Sequence, residues 1–255
     1  MTDGGADGSA GVADGPPDDG PVTLARAQDV HGEVVLRRRP PATYELVVNG
    51  VFAMDTVDVG TEELLATLAL DRLDAGPDGG TDGDSDGDGL AVLVGGLGLG
   101  FTARRVLADP RTARVVVAEL HGVLVDWVRA GLVPPAAGLL DDPRLEVTVG
   151  DVRDVVAAAP EGRLDAVLLD VDNGPDFLVH EANDAVYAAP FLAAALARLR
   201  PGGVLAVWSA SPSAALLAVL AGLSPGAEEV LHDVRREGRA FTYATYLARR
   251  AGTQP

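Results

Sequence analysis

Residues 91–102, AVLVGGLGLGFT, decide the fold that this sequence predicts. A run of apolar residues leads into a glycine-rich turn, and residues 103–107, ARRVL, follow as the start of a helix. A buried parallel strand that feeds a helix through such a turn is typical of α/β proteins that bind a nucleoside there. Gly96, Gly98 and Gly100 have the G-x-G-x-G spacing, and glycine permits positive φ and a close approach of backbone to a ligand. Similar turns also occur in α/β proteins that bind nothing at this point.

Acidic residues follow the apolar runs after the glycine turn. Glu119 ends the strand-like run 114–119, at the distance of about 20 residues where a carboxylate can hold the hydroxyls of a ribose. Asp151 follows the run 145–149, and Asp170 follows the run 164–169. Each carboxylate alone is also explained as a helix N-cap or a solvated strand end. Together they favour a nucleoside site at the carboxyl edge of a parallel sheet, with Asp151 near the adenine amino group and Asp170 near the reacting end.

Strand-like and helix-like runs alternate from residue 90 to residue 208, which predicts a parallel sheet with right-handed crossovers. The tail differs, because runs 228–235 and 240–248 are both strand-like and surround Glu237-Gly238-Arg239 without a helix between them. An antiparallel hairpin added to a parallel sheet gives the seven-stranded, Rossmann-like fold of class I methyltransferases. Upstream, three strand-like runs and an Asn49-Gly50 hairpin signal predict a small N-terminal β extension.

The sequence divides into five predicted segments. They are a disordered acidic tail at 1–30, the N-terminal β element at 31–60, a helix at 61–73, a disordered Asp/Gly insertion at 74–89 and the Rossmann-like S-adenosyl-binding domain at 90–250. The insertion contains Asp82, Asp84 and Asp86 in the pattern that opens a calcium loop, but its twelfth position is Leu93, where a bidentate Glu is needed. A flexible insertion explains the pattern better, so no metal is expected.

Composition limits the classes of partner. The formal net charge of −18 opposes binding to nucleic acid or to an anionic membrane. The chain contains no cysteine, which excludes disulfides, thiolate catalysis and Cys-ligated metals. The N-terminal residues lack the basic and apolar regions of a signal peptide, and no apolar run reaches the roughly 18 residues of a membrane span. A cytoplasmic location is therefore expected by default.

The loop at 170–176, DVDNGPD, is the candidate catalytic segment. Asp170 and Asp172 could bind an amine and accept its proton, as an amine nucleophile requires before it attacks an electrophilic carbon. The alternative is an Asn-Gly-Pro turn with solvated acids. The serines at 209, 211 and 213 lack the context of a nucleophile elbow, which argues against a hydrolase.

These motifs resemble the polyamine aminopropyltransferases, the spermidine synthase family, over about residues 45–249 without the insertion. The family's GGGDGGT is similar to GLGLGFT at 96–102, its Glu-Ile-Asp to Glu119-Leu120-His121, and its D-D-P-R with a later Gly-Asp to DDPR at 141–144 and GD at 150–151. Its D-S-T-D-P loop is similar to DVDNGP at 170–175. The resemblance implies that Glu119 contacts ribose, Asp151 contacts adenine and Asp170 is the catalytic base.

The sequence departs from this family on the polyamine side of the site. The acid of the glycine motif is Leu99 here, a family Gln is Ala53, the second acid of the loop is Asn173, and the family's Tyr-His pair has no counterpart at 61–63. Asp172 lies next to Asn173 and could replace the missing acid. Loss of the acid at Leu99 also removes the reason to prefer a decarboxylated sulfonium over S-adenosylmethionine, whose carboxylate that acid would repel.

The resemblance and the residues predict a transferase that uses an S-adenosyl sulfonium compound. The first expectation is transfer of an aminopropyl group from decarboxylated S-adenosylmethionine to a small-molecule amine acceptor. The second is an S-adenosylmethionine-dependent methyltransferase, and the third is a non-catalytic nucleoside-binding or interaction module. The predicted cofactor-binding residues are Gly96, Gly98, Gly100, Glu119 and Asp151, with Asp170 and Asp172 catalytic. A homo-oligomer is left open.

Overall fold

The computed structural model describes residues 20–57, 60–74, 89–175, 178, 181–236 and 238–252. The predicted tail up to residue 19 and insertion residues 75–88 lie outside the described residues. The remaining chain forms two sheets and six α-helices around a shared core.

The N-terminal sheet is antiparallel and has four strands in sequence order. Its strands are β1 (Val22–Asp29), β2 (Gly32–Arg39), β3 (Thr43–Val48) and β4 (Val51–Asp55). Asn49 and Gly50 connect β3 to β4 with φ of 52° and 75°, as the hairpin signal predicts.

The prediction of a tail over 1–30 is wrong for the residues of β1. This strand pairs with β2 along its whole length, for example Arg26 with Val35, so the β extension begins nine residues earlier than expected. Its inward residues include Ala25 and Ala27, which pack only partly against the core. Small residues on an edge strand give a weak alternation of hydrophobicity, which the Asp/Gly-rich neighbouring sequence obscures.

The second sheet has seven strands in the order β10-β11-β9-β8-β5-β6-β7. They are β5 (Leu90–Gly95), β6 (Thr112–Glu119), β7 (Leu145–Val149), β8 (Leu164–Leu169), β9 (Leu199–Ser209), β10 (Glu228–Arg236) and β11 (Arg239–Arg249). Strands β5 to β9 are parallel, and β11 is antiparallel to both β9 and β10. This arrangement confirms the predicted Rossmann-like, seven-stranded fold with its N-terminal β extension.

Three helices cover each face of the seven-stranded sheet. They are α1 (Gly60–Asp74), α2 (Phe101–Leu107) and α3 (Gly122–Arg129) on one face, and α4 (Val152–Ala158), α5 (Ala189–Arg198) and α6 (Ala214–Leu223) on the other. The alternation of β5 explains the two layers, because Val92 and Val94 pack with the first set while Leu93 packs with the second. Leu36 and Leu46 of the N-terminal sheet join the first layer, which places that sheet beside the carboxyl ends of β5 and β8.

No single helix in the described residues is long and apolar enough to cross a membrane. The segments Gly122–Arg129 and Pro134–Asp141 meet the length and composition criteria only as a pair, with a bend of 74° between them. The cytoplasmic location stays a prediction.

Candidate active site

The order of strands reverses between β5 and β8, and this is where open α/β sheets bind ligands. The glycine turn follows β5, and Asp170 follows β8 at the same edge. The Asp170 N–H donates to the carbonyl of Gly95 over 2.9 Å, which ties the two strand ends together. The strand order therefore places the glycine turn and the loop that begins at Asp170 side by side.

Each glycine of the turn has a positive φ: 92° at Gly96, 49° at Gly98 and 89° at Gly100. Protein atoms also fill the space that a Cβ would need. A Cβ on Gly96 would lie 2.1 Å from the carbonyl oxygen of Asp170, and one on Gly98 would lie 2.6 Å from Sδ of Met54. The turn therefore needs glycine both for its backbone conformation and for its close packing against β8 and β4.

Glu119 ends β6 and lies beneath the glycine turn. Its Oε2 accepts the N–H of Leu97 over 2.9 Å, and its Oε1 accepts the N–H of His121 over 2.8 Å. The residue is only 5% exposed, and burial raises the pKa of its carboxyl although both N–H groups act against that shift. The N–H of Gly98 also acts on this carboxylate, and a carboxylate offers about four lone-pair sites, so capacity for a further donor such as a ribose hydroxyl remains.

Asp170 is held by a residue that the sequence analysis did not select. The Oγ1 of Thr102, on the first turn of α2, donates to Oδ2 of Asp170 over 2.7 Å. Burial raises the pKa of the Asp170 carboxyl, and the Thr102 hydroxyl acts against this shift. Thr102 is the last residue of the quoted glycine motif, but nothing in the sequence pattern indicates its contact with Asp170.

Asp172 is buried and anchored within its own loop. Its Oδ1 accepts the N–H of Asn173 over 2.7 Å, and its Oδ2 accepts Nδ2 of Asn183 over 2.8 Å. The side chain of Asn173 donates in turn to the carbonyl of Phe52 over 3.2 Å, which connects this loop to the N-terminal sheet. The loop is therefore fixed by hydrogen bonds and differs from the alternative of a turn with solvated acids at this position.

Two adjoining cavities lie at this edge of the sheet. The polar cavity, of about 110 Å³, is lined by residues that include Gly96, Gly98, Glu119, His121, Asp170 and Asp172. The apolar cavity, of about 480 Å³, is lined by residues that include Phe52, Leu178, Trp208, Ala210, Phe241 and Tyr243. Both share Ala53, Met54, Asn173 and Trp208. The structure thus brings five of the seven predicted site residues together around the polar cavity.

Asp151 and Gly100 do not line either cavity. Asp151 is the N-cap of α4, accepts the N–H of Arg153 over 2.8 Å and pairs with the Arg153 guanidinium. This guanidinium holds the pKa of the Asp151 carboxyl below its ordinary value. The observed contacts of Asp151 are therefore those of a helix N-cap, and its contact with adenine stays a prediction.

Met54 is a second residue that the sequence analysis missed. Its Sδ accepts the N–H of Leu99 over 3.1 Å, so the thioether covers the glycine turn. Leu99 itself is fully buried in the core, and its side chain does not line either cavity. The position that carries an acid in the resembling family is thus a packing position in this chain.

Residues 79–220 match the model of the spermine/spermidine synthase domain. The chain belongs to this family. Polyamine aminopropyltransferases from Mycobacterium tuberculosis and Nitrosomonas europaea are each 36% identical over 124 residues, which is 48% of this chain and 23% and 35% of those proteins. Putrescine N-methyltransferase 4 from Nicotiana tabacum is 35% identical over 116 residues, or 45% of this chain and 28% of that protein. The matches therefore span about a quarter to a third of these relatives.

Solved structures of family members support the same fold. A spermidine synthase in complex with the transition state analogue AdoDATO aligns with a TM-score of 0.73 and 17% identity, over 90% of this chain and 74% of that one. The spermidine synthase from Thermotoga maritima aligns with a TM-score of 0.68 and 16% identity, over 90% and 73% of the two chains. At this identity the likeness establishes the fold.

No cluster of three or more His, Asp or Glu side chains that could hold a metal ion occurs within the described residues. The aspartates of the insertion lie outside those residues. The absence of a metal in the mechanism therefore stays a prediction.

Proposed function

We propose that this chain transfers an aminopropyl group from decarboxylated S-adenosylmethionine to a small-molecule amine. One observation carries the proposal: Glu119, Asp170 and Asp172 line a single polar cavity beside the glycine turn. A carboxylate for the sugar and two carboxylates for an amine are the groups that this reaction needs. Membership of the spermine/spermidine synthase family, and relatives named as polyamine aminopropyltransferases, support the same reaction.

In the proposed complex, Glu119 accepts hydrogen bonds from the ribose hydroxyls. Its carboxylate is held at both oxygens by backbone N–H groups, so it is oriented before the nucleoside binds. Met54 lines the polar cavity beside Gly96 and Gly98, and its Sδ accepts the N–H of Leu99, so a nucleoside at the glycine turn would displace this side chain. Methionine is flexible, so this movement is accessible to the side chain.

Asp170 is the proposed general base. Asp170 first takes a proton from the ammonium of the acceptor, which frees the nitrogen lone pair. The lone pair then attacks the carbon on the sulfonium, and the C–S bond breaks with its electrons left on sulfur. A base is most effective when its pKa approaches the working pH, and burial moves the pKa of Asp170 in that direction. Thr102 orients the carboxylate, and Asp172 holds the cationic amine before attack.

Methyl transfer is the second candidate, and the burial of Leu99 favours it. An acid at this position would repel the carboxylate of S-adenosylmethionine, and the buried leucine applies no such repulsion. The resemblance to proteins named as putrescine N-methyltransferases supports the same alternative. Both candidates use the same proposed nucleoside contacts and differ in the carbon that is attacked.

Calorimetric titration with decarboxylated S-adenosylmethionine, S-adenosylmethionine and methylthioadenosine tests the proposal. Tighter binding of the decarboxylated compound supports aminopropyl transfer, and tighter binding of S-adenosylmethionine supports methyl transfer. No heat with any of the three supports the non-catalytic module and refutes both transferases. Turnover with the preferred donor is then measured by release of the neutral thioether nucleoside.

Two variants separate binding from chemistry. Glu119→Ala should weaken nucleoside binding at least about tenfold, because two ribose hydrogen bonds to a charged group are lost. Asp170→Asn should leave nucleoside binding within about twofold and lower turnover at least about 100-fold, the scale of a lost general base. Glu146→Ala is the control, since Glu146 is an exposed carboxylate on β7 that pairs with Arg114. Normal nucleoside binding by Glu119→Ala would refute the ribose assignment.

A further inference from the structure

The apolar cavity differs in chemistry from the polar cavity that it adjoins. Its volume of about 480 Å³ lies within the range of small-molecule sites. Aromatic side chains from three separate strands form its walls: Phe52 on β4, Trp208 on β9, and Phe241 and Tyr243 on β11. None of the described residues that line it carries a charge.

A diamine or polyamine acceptor would place a second ammonium group in this cavity. The described polar groups on its walls are the Asn173 amide, the Tyr243 hydroxyl and the Trp208 indole, and the Asn173 Nδ2 already donates to the Phe52 carbonyl. An ammonium buried against these walls would leave water without gaining a carboxylate partner from them, which is unfavourable. The described walls therefore favour an apolar group over a second cationic end.

The indole ring of Trp208 lies where the two cavities meet. Trp208 is 8% exposed, and its Nε1–H is buried without a hydrogen-bond acceptor among the described residues, so this edge of the indole adds no polar contact to the cavity wall. Trp208 lines both cavities and packs edge-on against Tyr243, with 5.4 Å between ring centroids.

We infer that the apolar cavity binds the aryl or branched alkyl group of a monoamine acceptor. The inference rests on the proposed function and names the class of acceptor for it. The amine lies at the residues that both cavities share, Met54, Asn173 and Trp208, and points toward Asp170. The apolar group fills the aromatic-lined space, where its burial supplies binding energy. Trp208 also offers a π-face to the ammonium at this junction.

The bond changes follow the proposed mechanism. A C–N bond forms between the monoamine and the carbon on the sulfonium of the S-adenosyl donor, and the C–S bond breaks. The bonding electrons stay on sulfur, which leaves a neutral thioether nucleoside. The proton that the ammonium must lose before the attack goes to the Asp170 carboxylate, and the product leaves as a protonated amine. The product is a more substituted amine that keeps its apolar group in the cavity until release.

Calorimetry on the full chain tests the acceptor class without turnover. The probes are 2-phenylethylamine and 1,4-diaminobutane, titrated separately in the presence and absence of methylthioadenosine. We expect 2-phenylethylamine to bind at least about tenfold more tightly than the diamine, because only its ring is buried against apolar walls. Equal or tighter binding of the diamine would overturn the inference.

Matched variants locate the binding site. Phe241→Ala should weaken 2-phenylethylamine about tenfold, the scale of one lost aromatic contact. Leu132→Ala is the control, since Leu132 is 40% exposed, close to the 41% of Phe241, and lines neither cavity. Phe52 on β4 is also 40% exposed and lines the same cavity, so Phe52→Ala provides a second test if Phe241→Ala lowers the melting temperature. Unchanged binding in both cavity variants refutes the inference.

The two proposals fail in different ways. If the parent chain binds 2-phenylethylamine but none of the three nucleosides, the proposed transferase is refuted and the proposed ligand class of the apolar cavity is retained. Retained nucleoside binding with no preference for 2-phenylethylamine refutes the acceptor class and leaves the transferase standing.

Discussion

Replacement of Gly96 by alanine should destabilise the protein through two separate effects. The backbone φ of 92° is unfavourable for an L-residue, at about 1–2 kcal/mol. The new Cβ would also lie 2.1 Å from the carbonyl oxygen of Asp170, a backbone atom that cannot move without the end of β8. Overpacking of this kind costs about 1–3 kcal/mol, so the total loss in free energy of unfolding is about 2–5 kcal/mol.

Gly138→Ala supplies a matched control for the conformational effect. Gly138 has a φ of 71°, and nothing lies within 4 Å of the position that its Cβ would take. This variant should lose only about 1–2 kcal/mol. The difference between the two variants therefore measures the contact between the glycine turn and β8 alone.

Urea denaturation followed by circular dichroism measures both free energies of unfolding. Calorimetric titration of methylthioadenosine into Gly96→Ala measures whether the added Cβ also shifts the glycine turn at the polar cavity, which would weaken binding. If Gly96→Ala is no more destabilised than Gly138→Ala, then the turn does not press against Asp170 as described, and the juxtaposition of the two candidate segments is wrong.

Three further predictions address Asp170, Asp151 and Met54. Burial raises the pKa of Asp170 in the folded chain above the ordinary value of 3.8. Between these two pKa values the folded state binds more protons than the unfolded state. The free energy of unfolding therefore falls as the pH rises through this range. At a pH above the pKa of folded Asp170, the Asp170→Asn variant should therefore melt at a higher temperature than the parent in calorimetric scans. This difference in melting temperature should disappear below pH 3.8, and a difference that does not change with pH would contradict the burial of the carboxylate. Asp151→Ser should keep the N-cap of α4, whereas Asp151→Ala should lower the free energy of unfolding by about 1 kcal/mol in urea denaturation. If the serine variant binds the nucleoside as tightly as the parent, then Asp151 does not contact adenine. Met54→Ala removes the thioether over the glycine turn and should tighten nucleoside binding several-fold, whereas weaker binding would mean that Met54 contacts the ligand.

The sequence was sufficient to predict the elements that carry strong local patterns. The apolar run at 91–94 with its glycines predicted β5 and the turn, and Asn49-Gly50 predicted the β3–β4 hairpin, because each pattern depends on backbone conformation within a few residues. The helix predicted at 61–73 is observed at Gly60–Asp74. The strand Val22–Asp29 was missed, because its stability comes from pairing with β2 and its inward residues are small.

The candidate site was predictable where it follows strand ends and unpredictable where two sheets meet. Glu119 and Asp170 come to one cavity because parallel strands end at the same edge. The contact of Met54 with Leu99 depends on how the N-terminal sheet packs against the glycine turn, and 45 residues separate the two in sequence. The hydrogen bond from Thr102 to Asp170 spans 68 residues and depends on how the start of α2 lies beside the end of β8. Periodicity and spacing carry no information about such contacts between distant segments.

The hydrogen bond from Asn173 to the Phe52 carbonyl joins two parts of the molecule to which we assign separate roles. The parallel strands supply the glycine turn, the carboxylates and Trp208, whereas β4 and β11 supply the aromatic walls Phe52, Phe241 and Tyr243. Substitutions at Phe52 or Phe241 alter the second set without touching the hydrogen bonds of Glu119. Under the proposed function, a library randomised at these two positions should yield variants with altered acceptor preference and unchanged nucleoside binding.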